Sequence, residues 1–290
     1  MGGGGMRPSA FSYSRPATIA QILDAMRHGA VPLAGGQSLL PAMRLRQAAP
    51  PALVDLAAAV ELSAAFEFKP EILTIGAQVT HAQCAADERI NSEYPWLAQA
   101  ASFLGDVQVR NRGTVVGNLC WADARANFAV AMLASDARVH YRDPAAPTDT
   151  NAIAIDGFFT GLRQHAAAGR LVTHLTLPRI PGRRGTYREF SRQRQDLALV
   201  NVCVVLGPDY ARVVVGGIHQ TPVRVPFLET RLRAGVPPAT ELSVLIEQVL
   251  SDMILAPLQD AYGTPAFKLQ LAKVELRRAL ETLTQAHTHA

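Results

Sequence analysis

The segment PLAGGQSLLPAMRLR, from Pro32 to Arg46, places two glycines, a glutamine and a serine between a short apolar run and the first turn of a helix. Glycines let the backbone turn sharply and approach a ligand closely, and the freed N–H groups and the Ser38 hydroxyl can point at an anion. A phosphate group suits such a loop. The segment contains neither G-x-G-x-x-G nor G-K-[ST], so a simple strand-to-helix turn is an equally good interpretation of this stretch alone.

A second glycine-containing segment, VRNRGTVVGN from Val109 to Asn118, lies further along the chain. It has two arginines around an asparagine, then Gly113, Thr114 and Gly117, and an apolar run follows. Two loops of this kind could hold a ligand with two phosphates from opposite sides.

Composition limits the possible classes of protein. The chain has 290 residues and is 49% hydrophobic, which allows two or three compact units. It has no apolar run of about 18 residues and no secretory signal at its start, so we expect a cytoplasmic protein. The cysteines, Cys84, Cys120 and Cys203, are widely spaced and predict neither disulfides nor a metal or iron–sulfur site. Redox chemistry would therefore need an organic cofactor or a carrier on another chain.

Six arginines crowd the stretch from 179 to 194, in a chain of net charge +4. A nucleic-acid surface is one interpretation. A solvated face or a subunit contact is favoured, because aromatic residues of a recognised nucleic-acid module do not alternate with these arginines.

The hydrophobic pattern predicts an α+β architecture of small units. Thr18 is expected to cap a helix whose buried face includes Ile19, Ile22 and Leu23. Further helices are predicted from Thr80 and over 94–104, 128–135, 226–234, 240–250 and 265–283. Strands are predicted just before the first glycine loop, at 52–56, as a hairpin within 64–80, and at 171–177, 185–192, 199–206 and 212–216. The polar stretch 142–151 is expected to be a surface loop, and PRIPGRRG near 178–185 to be a linker.

Several motifs occur together and in a specific order: LAGGQSLLPAMRLR, LVDL, LTIGAQVTHAQ, VRNRGTVVGN, REFSRQRQDLALV, VVVGGIHQTPVR and DAYGTPAFKLQLAKVELRRAL. On these motifs the chain resembles the FAD-binding medium subunit of the molybdenum hydroxylases, typified by the aerobic carbon monoxide dehydrogenase medium chain. It resembles the flavin domain of xanthine dehydrogenase more distantly. The match extends from about Phe11 to Leu283.

The resemblance implies a vanillyl-alcohol-oxidase-type (PCMH-type) FAD-binding fold in two subdomains, followed by a C-terminal α+β domain with a three-stranded sheet and helices. The corresponding divisions are a flexible leader at 1–10, FAD-binding subdomains at 11–60 and 61–178, and the C-terminal domain at 179–290.

The resemblance also implies the residues that bind FAD. The loop from Ala34 to Ser38 would wrap the pyrophosphate, the segment from Thr114 to Asn118 would close on it and on the ribityl chain, and Tyr187 would lie near the isoalloxazine ring. The expected cofactor-binding residues are Ala34, Gly35, Gly36, Gln37, Ser38, Leu39, Thr80, Thr114, Val115, Gly117, Asn118, Asn127, Tyr187 and Asp196. No catalytic residue and no metal ligand is expected in this chain.

In this family the flavin carries the redox step. The resemblance implies a molybdenum cofactor on a large partner subunit and [2Fe–2S] clusters on a small one, with electrons passing to FAD and then to NAD⁺, oxygen or another acceptor. A flavin-free relative with a scaffolding or small-ligand role is the alternative. A self-contained flavin oxidase is disfavoured, because no substrate domain with catalytic groups is evident after Pro178.

The chain departs from the family pattern in the second segment. Val116 stands where the family usually has the first glycine of T-[IV]-G-G, and Asn127 replaces a carboxylate. A β-branched residue is unfavourable if that backbone needs a positive φ, so we expect Val116 to weaken FAD binding. His81 and His219 are conceivable as covalent flavin links or bases, but a hydrogen-bonded structural role is favoured for each.

Overall fold

The computed structural model describes residues 7–253, Leu258 and residues 260–285. Residues 1–6 of the predicted leader lie outside this description. Among the described helices, none combines the length and the apolar character that a membrane crossing requires.

The N-terminal part is a small parallel sheet with two helices. Its elements are β1 (Ser12–Ser14), α1 (Ile19–Arg27), β2 (Ala30–Leu33), α2 (Leu39–Arg44) and β3 (Ala52–Asp55). The strand order is β1-β3-β2, and both pairings are parallel. The predicted cap is confirmed, because the Thr18 side chain accepts a hydrogen bond from the Gln21 amide. The first glycine loop begins at the carboxyl end of the parallel strand β2 and leads into α2.

The middle part combines six helices with a five-stranded antiparallel sheet of order β4-β5-β10-β6-β7. Its helices are α3 (His81–Ala86), α4 (Glu88–Glu93), α5 (Pro95–Phe103), α6 (Val107–Arg112), α7 (Val115–Trp121) and α8 (Asn127–Leu133). The strands of this sheet are β4 (Phe66–Phe68), β5 (Ile72–Gly76), β6 (Arg138–Asp143), β7 (Ala146–Ala154) and β10 (Leu171–Pro178). A 3₁₀ turn at Ile155–Gly157 follows β7, and β8 (Phe159–Gly161) and β9 (Gln164–His165) form a separate two-stranded sheet.

The expectation of a surface loop at 142–151 is wrong, because β6 and β7 form a hairpin there. Strand β7 is the outer strand of its sheet and half of its residues face solvent. An edge strand of this kind tolerates Pro147 and polar side chains, so its sequence looks like that of a loop.

The C-terminal part is an antiparallel sheet covered by helices. Its elements are β11 (Arg184–Phe190), β12 (Val200–Gly207), β13 (Tyr210–Gly216), β14 (Val223–Arg224), α9 (Pro226–Arg233), α10 (Ala239–Asp252) and α11 (Pro265–Gln285). The sheet has four strands rather than the three predicted, in the order β11-β12-β13-β14. The additional strand has two residues, which is too short to produce a periodic pattern.

Strand β12 joins the two hydrophobic cores of the molecule. Val202 and Val204 belong to the core beneath α10 and α11, whereas Cys203 and Val205 belong to the core that fills the first two parts. Successive side chains of a strand point to opposite faces, so a strand buried on both faces reads as a continuous apolar run. The C-terminal sheet is thus packed against the part of the chain that carries both glycine segments.

Candidate cofactor-binding site

A cavity of about 650 Å³ lies where the two glycine segments meet. This volume is typical of sites for small molecules and cofactors, which span about 300–1,000 Å³. Its walls include the loop 33–39, His81 at the start of α3, Phe103 and Leu104 beside the end of α5, the α6–α7 junction with α7, and residues within 163–172 and 195–197. The site is therefore built from elements that are far apart in the sequence.

Two glycines give the first loop its shape. Gly36 has a φ of +74°, a conformation that residues with a side chain rarely adopt. A Cβ on Gly35 would lie 1.9 Å from the Arg112 carbonyl oxygen and 2.7 Å from Gly113 Cα. The loop therefore packs backbone against backbone on the α6–α7 junction, and this contact brings the two glycine segments together.

The first loop presents unused hydrogen-bond donors at the cavity. Within the described part of the chain, no protein group accepts a hydrogen bond from the amide N–H of any residue from 34 to 39. Residues 34–39 all line the cavity. Consecutive free amides at the end of a strand form a concave anion-binding surface. The loop can therefore bind a phosphate through its backbone.

The second segment begins a helix instead of forming an open loop. The Thr114 side chain accepts a hydrogen bond from the Gly117 amide at 3.0 Å and caps α7. The amides of Thr114 and Val116 have no acceptor among the described residues, and both residues line the cavity. Val115 is fully buried in the core and does not line it.

Val116 does not have the conformation that the sequence comparison suggested. It is the second residue of α7 and is absent from the described residues with a positive φ. The expectation that valine strains this backbone is therefore wrong. Its side chain, 5% exposed, instead forms part of the cavity wall.

The two predicted asparagines connect α7, α8 and strand β11. Asn118 Oδ1 accepts a hydrogen bond from the Phe128 amide at 3.3 Å. Asn127 donates through Nδ2 to the Ala100 carbonyl at 3.1 Å and to Glu189 Oε2 at 3.0 Å. Burial raises the pKa of Glu189 to about 7, although hydrogen bonds from Tyr187 and Asn127 oppose the shift. The sequence analysis did not identify this carboxyl group.

The remaining predicted residues divide between the cavity and its surroundings. Asp196 is exposed and lines the cavity. Tyr187 does not line it: the side chain is 2% exposed and its hydroxyl donates to Glu189 Oε2 at 2.7 Å. Phe103 does line the cavity, and its ring centroid is 6.1 Å from that of Tyr187. Thr80 caps α3 in a reciprocal pair with Gln83 and also lies outside the cavity lining.

The structure adds cavity residues that the sequence analysis did not assign to the site. Phe103, Trp121 and Leu197 provide apolar and aromatic surface. Arg163 also lines the cavity and lies over the Trp121 ring, 5.0 Å from its centroid. These residues come from separate elements, and no local motif marks them.

His81 also lines the cavity, and it is only 2% exposed. Its ring stacks on Phe128 with centroids 5.2 Å apart. Burial lowers the pKa of His81 to about 3, and nearby Arg110 contributes to this shift. Nδ1 is buried and has no hydrogen-bond partner among the described residues. Leaving a buried polar atom unpaired costs about 1–3 kcal/mol, so this ring lacks the partner that a structural histidine usually has.

Comparison with known proteins identifies the ligand class. The model of the FAD binding domain in molybdopterin dehydrogenase matches residues 9–180, and that of the CO dehydrogenase flavoprotein C-terminal domain matches residues 185–283. The nicotine 6-hydroxylase medium subunit of Paenarthrobacter nicotinovorans is 29% identical over 95% of this chain and 98% of its own length. The carbon monoxide dehydrogenase medium chain of Afipia carboxidovorans is also 29% identical, over 95% and 97% of the two chains.

Solved structures agree with these matches. One is the carbon monoxide dehydrogenase of Hydrogenophaga pseudoflava, in a form that lacks the Mo-pyranopterin moiety of the molybdenum cofactor. Its matching chain superposes with a TM-score of 0.87 at 25% identity, over 94% of this chain and 97% of that one. Quinoline 2-oxidoreductase of Pseudomonas putida 86 gives a TM-score of 0.87 at 27% identity, over 97% and 99%. The predicted FAD-binding fold is confirmed.

The residues of the cavity fit FAD. The free amides of residues 34–39, with those of Thr114 and Val116, suit a diphosphate, and the aromatic and apolar wall around Phe103 and Trp121 suits a planar ring system. Both family models together cover almost the whole chain. The chain therefore belongs to the FAD-binding medium subunits of the molybdenum hydroxylases, within the xanthine dehydrogenase and carbon monoxide dehydrogenase family of oxidoreductases.

Proposed function

We propose that this chain holds FAD non-covalently in the cavity, accepts electrons from a [2Fe–2S] cluster of a small partner subunit and passes them to NAD⁺, oxygen or another acceptor. The molybdenum cofactor would belong to a large partner subunit. The observation that carries the proposal is the row of free amides at residues 34–39, which faces a cavity of cofactor size. The match of the two family models to nearly the full length of the chain also supports the proposal.

The names of the relatives support the proposed assembly. They include medium subunits or medium chains of nicotine 6-hydroxylase and carbon monoxide dehydrogenase, and the FAD-binding subunit of an Escherichia coli aldehyde oxidoreductase. A medium chain implies larger and smaller partners. We also propose that the complex is cytoplasmic, as the sequence analysis expected.

The bound flavin would supply redox chemistry, since it can take up and release electrons. The protein groups have other tasks. The amides of residues 34–39 would bind the diphosphate together with those of Thr114 and Val116, which line the same cavity. Phe103 and Trp121 would provide the apolar surface that excludes water from the ring system. Asn127, fixed by Ala100 and Glu189, would present a polar edge.

The flavin-free alternative was favoured only by the altered second segment. The helical backbone of Val116 removes the strain on which that alternative rested. FAD binding and membership of a complex therefore remain the function to test.

The test of cofactor binding is the visible spectrum of the purified protein and the release of FAD by acid. We expect a yellow protein with about one FAD per chain. Gly36→Asp should abolish binding, since it places a negative charge beside the proposed diphosphate. Gly29→Asp is the matched control: Gly29 also has a positive φ, of +88°, but it does not line the cavity. A colourless wild-type protein that takes up no FAD, or a Gly36→Asp protein that keeps it, would refute the proposed site.

The test of the assembly is affinity capture of the tagged chain from its native host. We expect two partners, one with molybdenum and one with [2Fe–2S] clusters, to be recovered with it. Substrate oxidation with multiple turnovers by the isolated chain would contradict the assignment of hydroxylation to another subunit.

A further inference from the structure

The ring of His81 is fixed against the wall of the cavity. His81 is the first residue of α3, and its ring stacks on Phe128 at an angle of 16° between the planes. On another side lies Gly113, where an added Cβ would be 2.8 Å from His81 Cδ2 and 2.9 Å from Nε2. The ring therefore occupies space that a side chain at position 113 would otherwise fill.

The two ring nitrogens of His81 have no protein partner. No described residue forms a hydrogen bond with either nitrogen, and Nδ1 is buried. Nδ1 has no accessible surface, so Nε2 is the ring nitrogen that a ligand in the cavity lined by His81 can reach. The sequence analysis favoured a hydrogen-bonded structural histidine, and the contacts of the described residues do not provide those hydrogen bonds.

The charge state of His81 restricts the kind of ligand group. Burial and the nearby Arg110 guanidinium lower the pKa of His81 to about 3, so the ring is neutral at physiological pH. A neutral imidazole has one N–H donor and one acceptor nitrogen. Phosphate oxygens can only accept, whereas a hydroxyl group can both donate and accept. A hydroxyl therefore matches either tautomer of the ring.

We propose that His81 hydrogen-bonds a sugar hydroxyl of the bound FAD, either on the ribityl chain or on the ribose. The inference rests on the proposed binding of FAD in this cavity. It assigns His81 to the recognition of the sugar part of the cofactor, separately from the amides of residues 34–39, which suit the diphosphate.

The first experiment is calorimetric titration of apo-protein with FAD, FMN and ADP. His81→Leu removes both nitrogens, and we expect it to bind FAD about five- to tenfold more weakly, the loss typical of one hydrogen bond. His81→Gln keeps a donor and an acceptor, and its affinity should stay within about twofold of wild type. The matched control is His140→Leu, because His140 stacks on His174 and does not line the cavity.

The two fragments distinguish the two sugars. A weaker affinity of His81→Leu for FMN would place the hydrogen bond on the ribityl chain, and a weaker affinity for ADP would place it on the ribose. An unchanged affinity for FAD in His81→Leu, or an equal loss in His81→Gln and His81→Leu, would overturn the inference.

A second measurement uses the wild-type protein and does not depend on the stability of a variant. In ¹⁵N-histidine-labelled apo-protein, the ring nitrogens of His81 should shift when FAD is added, and they should show no protonation between pH 5 and pH 8. An unchanged His81 signal at saturating FAD would overturn the inference alone. A wild-type protein that binds no FAD would overturn the proposed function together with it.

Discussion

Replacing Gly35 by alanine should separate the two glycine segments. In the native structure an added Cβ would lie 1.9 Å from the Arg112 carbonyl oxygen and 2.6 Å from its carbonyl carbon. Ordinary contact for such atoms begins at 3.4 Å, so one backbone must move by about 1.5 Å relative to the other. Neither partner is a flexible side chain that could turn aside. The movement must therefore come from the loop or from the α6–α7 junction.

This movement should weaken both the fold and FAD binding. Overpacking a tight contact costs about 1–3 kcal/mol of the free energy of unfolding. A displacement of about 1.5 Å also exceeds the tolerance of hydrogen bonds between amide and phosphate, and each bond to a charged group contributes about 1.5–3 kcal/mol. The loss of one such bond raises the dissociation constant for FAD at least tenfold, and the loss of two raises it at least a hundredfold.

Titration of apo-protein with FAD, together with thermal unfolding, measures both effects in Gly35→Ala. Gly157→Ala is the matched control, because an added Cβ there approaches only Ile153 Cγ2, at 4.0 Å. The control should have the wild-type dissociation constant. If Gly35→Ala also binds FAD with wild-type affinity and unfolds at the wild-type temperature, the close contact between the two segments does not shape the site.

Three further substitutions test other parts of the structure. Val116→Gly should lower the free energy of unfolding by about 1–3 kcal/mol, because burial and helix propensity are lost. The variant should not bind FAD more tightly than wild type. Titration that finds tenfold tighter binding would contradict the helical assignment of this residue. Tyr187→Phe should unfold at a lower temperature but change the dissociation constant for FAD by less than about twofold, because the tyrosine hydroxyl contacts Glu189 and not the cavity. Glu189→Gln should remove a pH dependence of stability. Burial raises the pKa of folded Glu189 from the ordinary 4.5 of a glutamate to about 7, so the folded state holds the extra proton and wild-type stability falls as pH rises between these values. Urea unfolding at pH 4.5 and pH 8 should show the wild type losing stability relative to the variant, by on the order of 2 kcal/mol, and parallel pH profiles would refute this.

The parts of the fold that the sequence predicted well are those with local signals. The Thr18 cap and the buried face of α1 follow from residue type and helical spacing. Strand β12 follows from its continuous apolar run. Strand β7 was missed because its outer position in the sheet permits polar residues and proline, and β14 because two residues carry no period. Burial by neighbours, which a local pattern cannot report, decides these cases.

The residues of the candidate site also divide into those with a local signal in the sequence and those without one. Gly35 and Gly36 were identified because glycine at a turn after a strand has a local physical meaning. His81 and Phe103 were not assigned to the site, because their role depends on α3 and α5 converging on the cavity. Glu189 was identified only in the structure, where it accepts hydrogen bonds from Asn127 on α8 and from Tyr187 on its own strand.

Val116 illustrates what a resemblance transfers and what it leaves open. The family's glycine at this position suggested a backbone with a positive φ, in which valine would be strained. The position instead lies in the first turn of α7 with a helical backbone, where any L-residue is allowed. What differs between glycine and valine there is the volume of a side chain that lines the cavity. Replacing Val116 by glycine therefore removes side-chain contacts at the cavity wall without relieving any backbone strain, so the affinity for FAD should not rise.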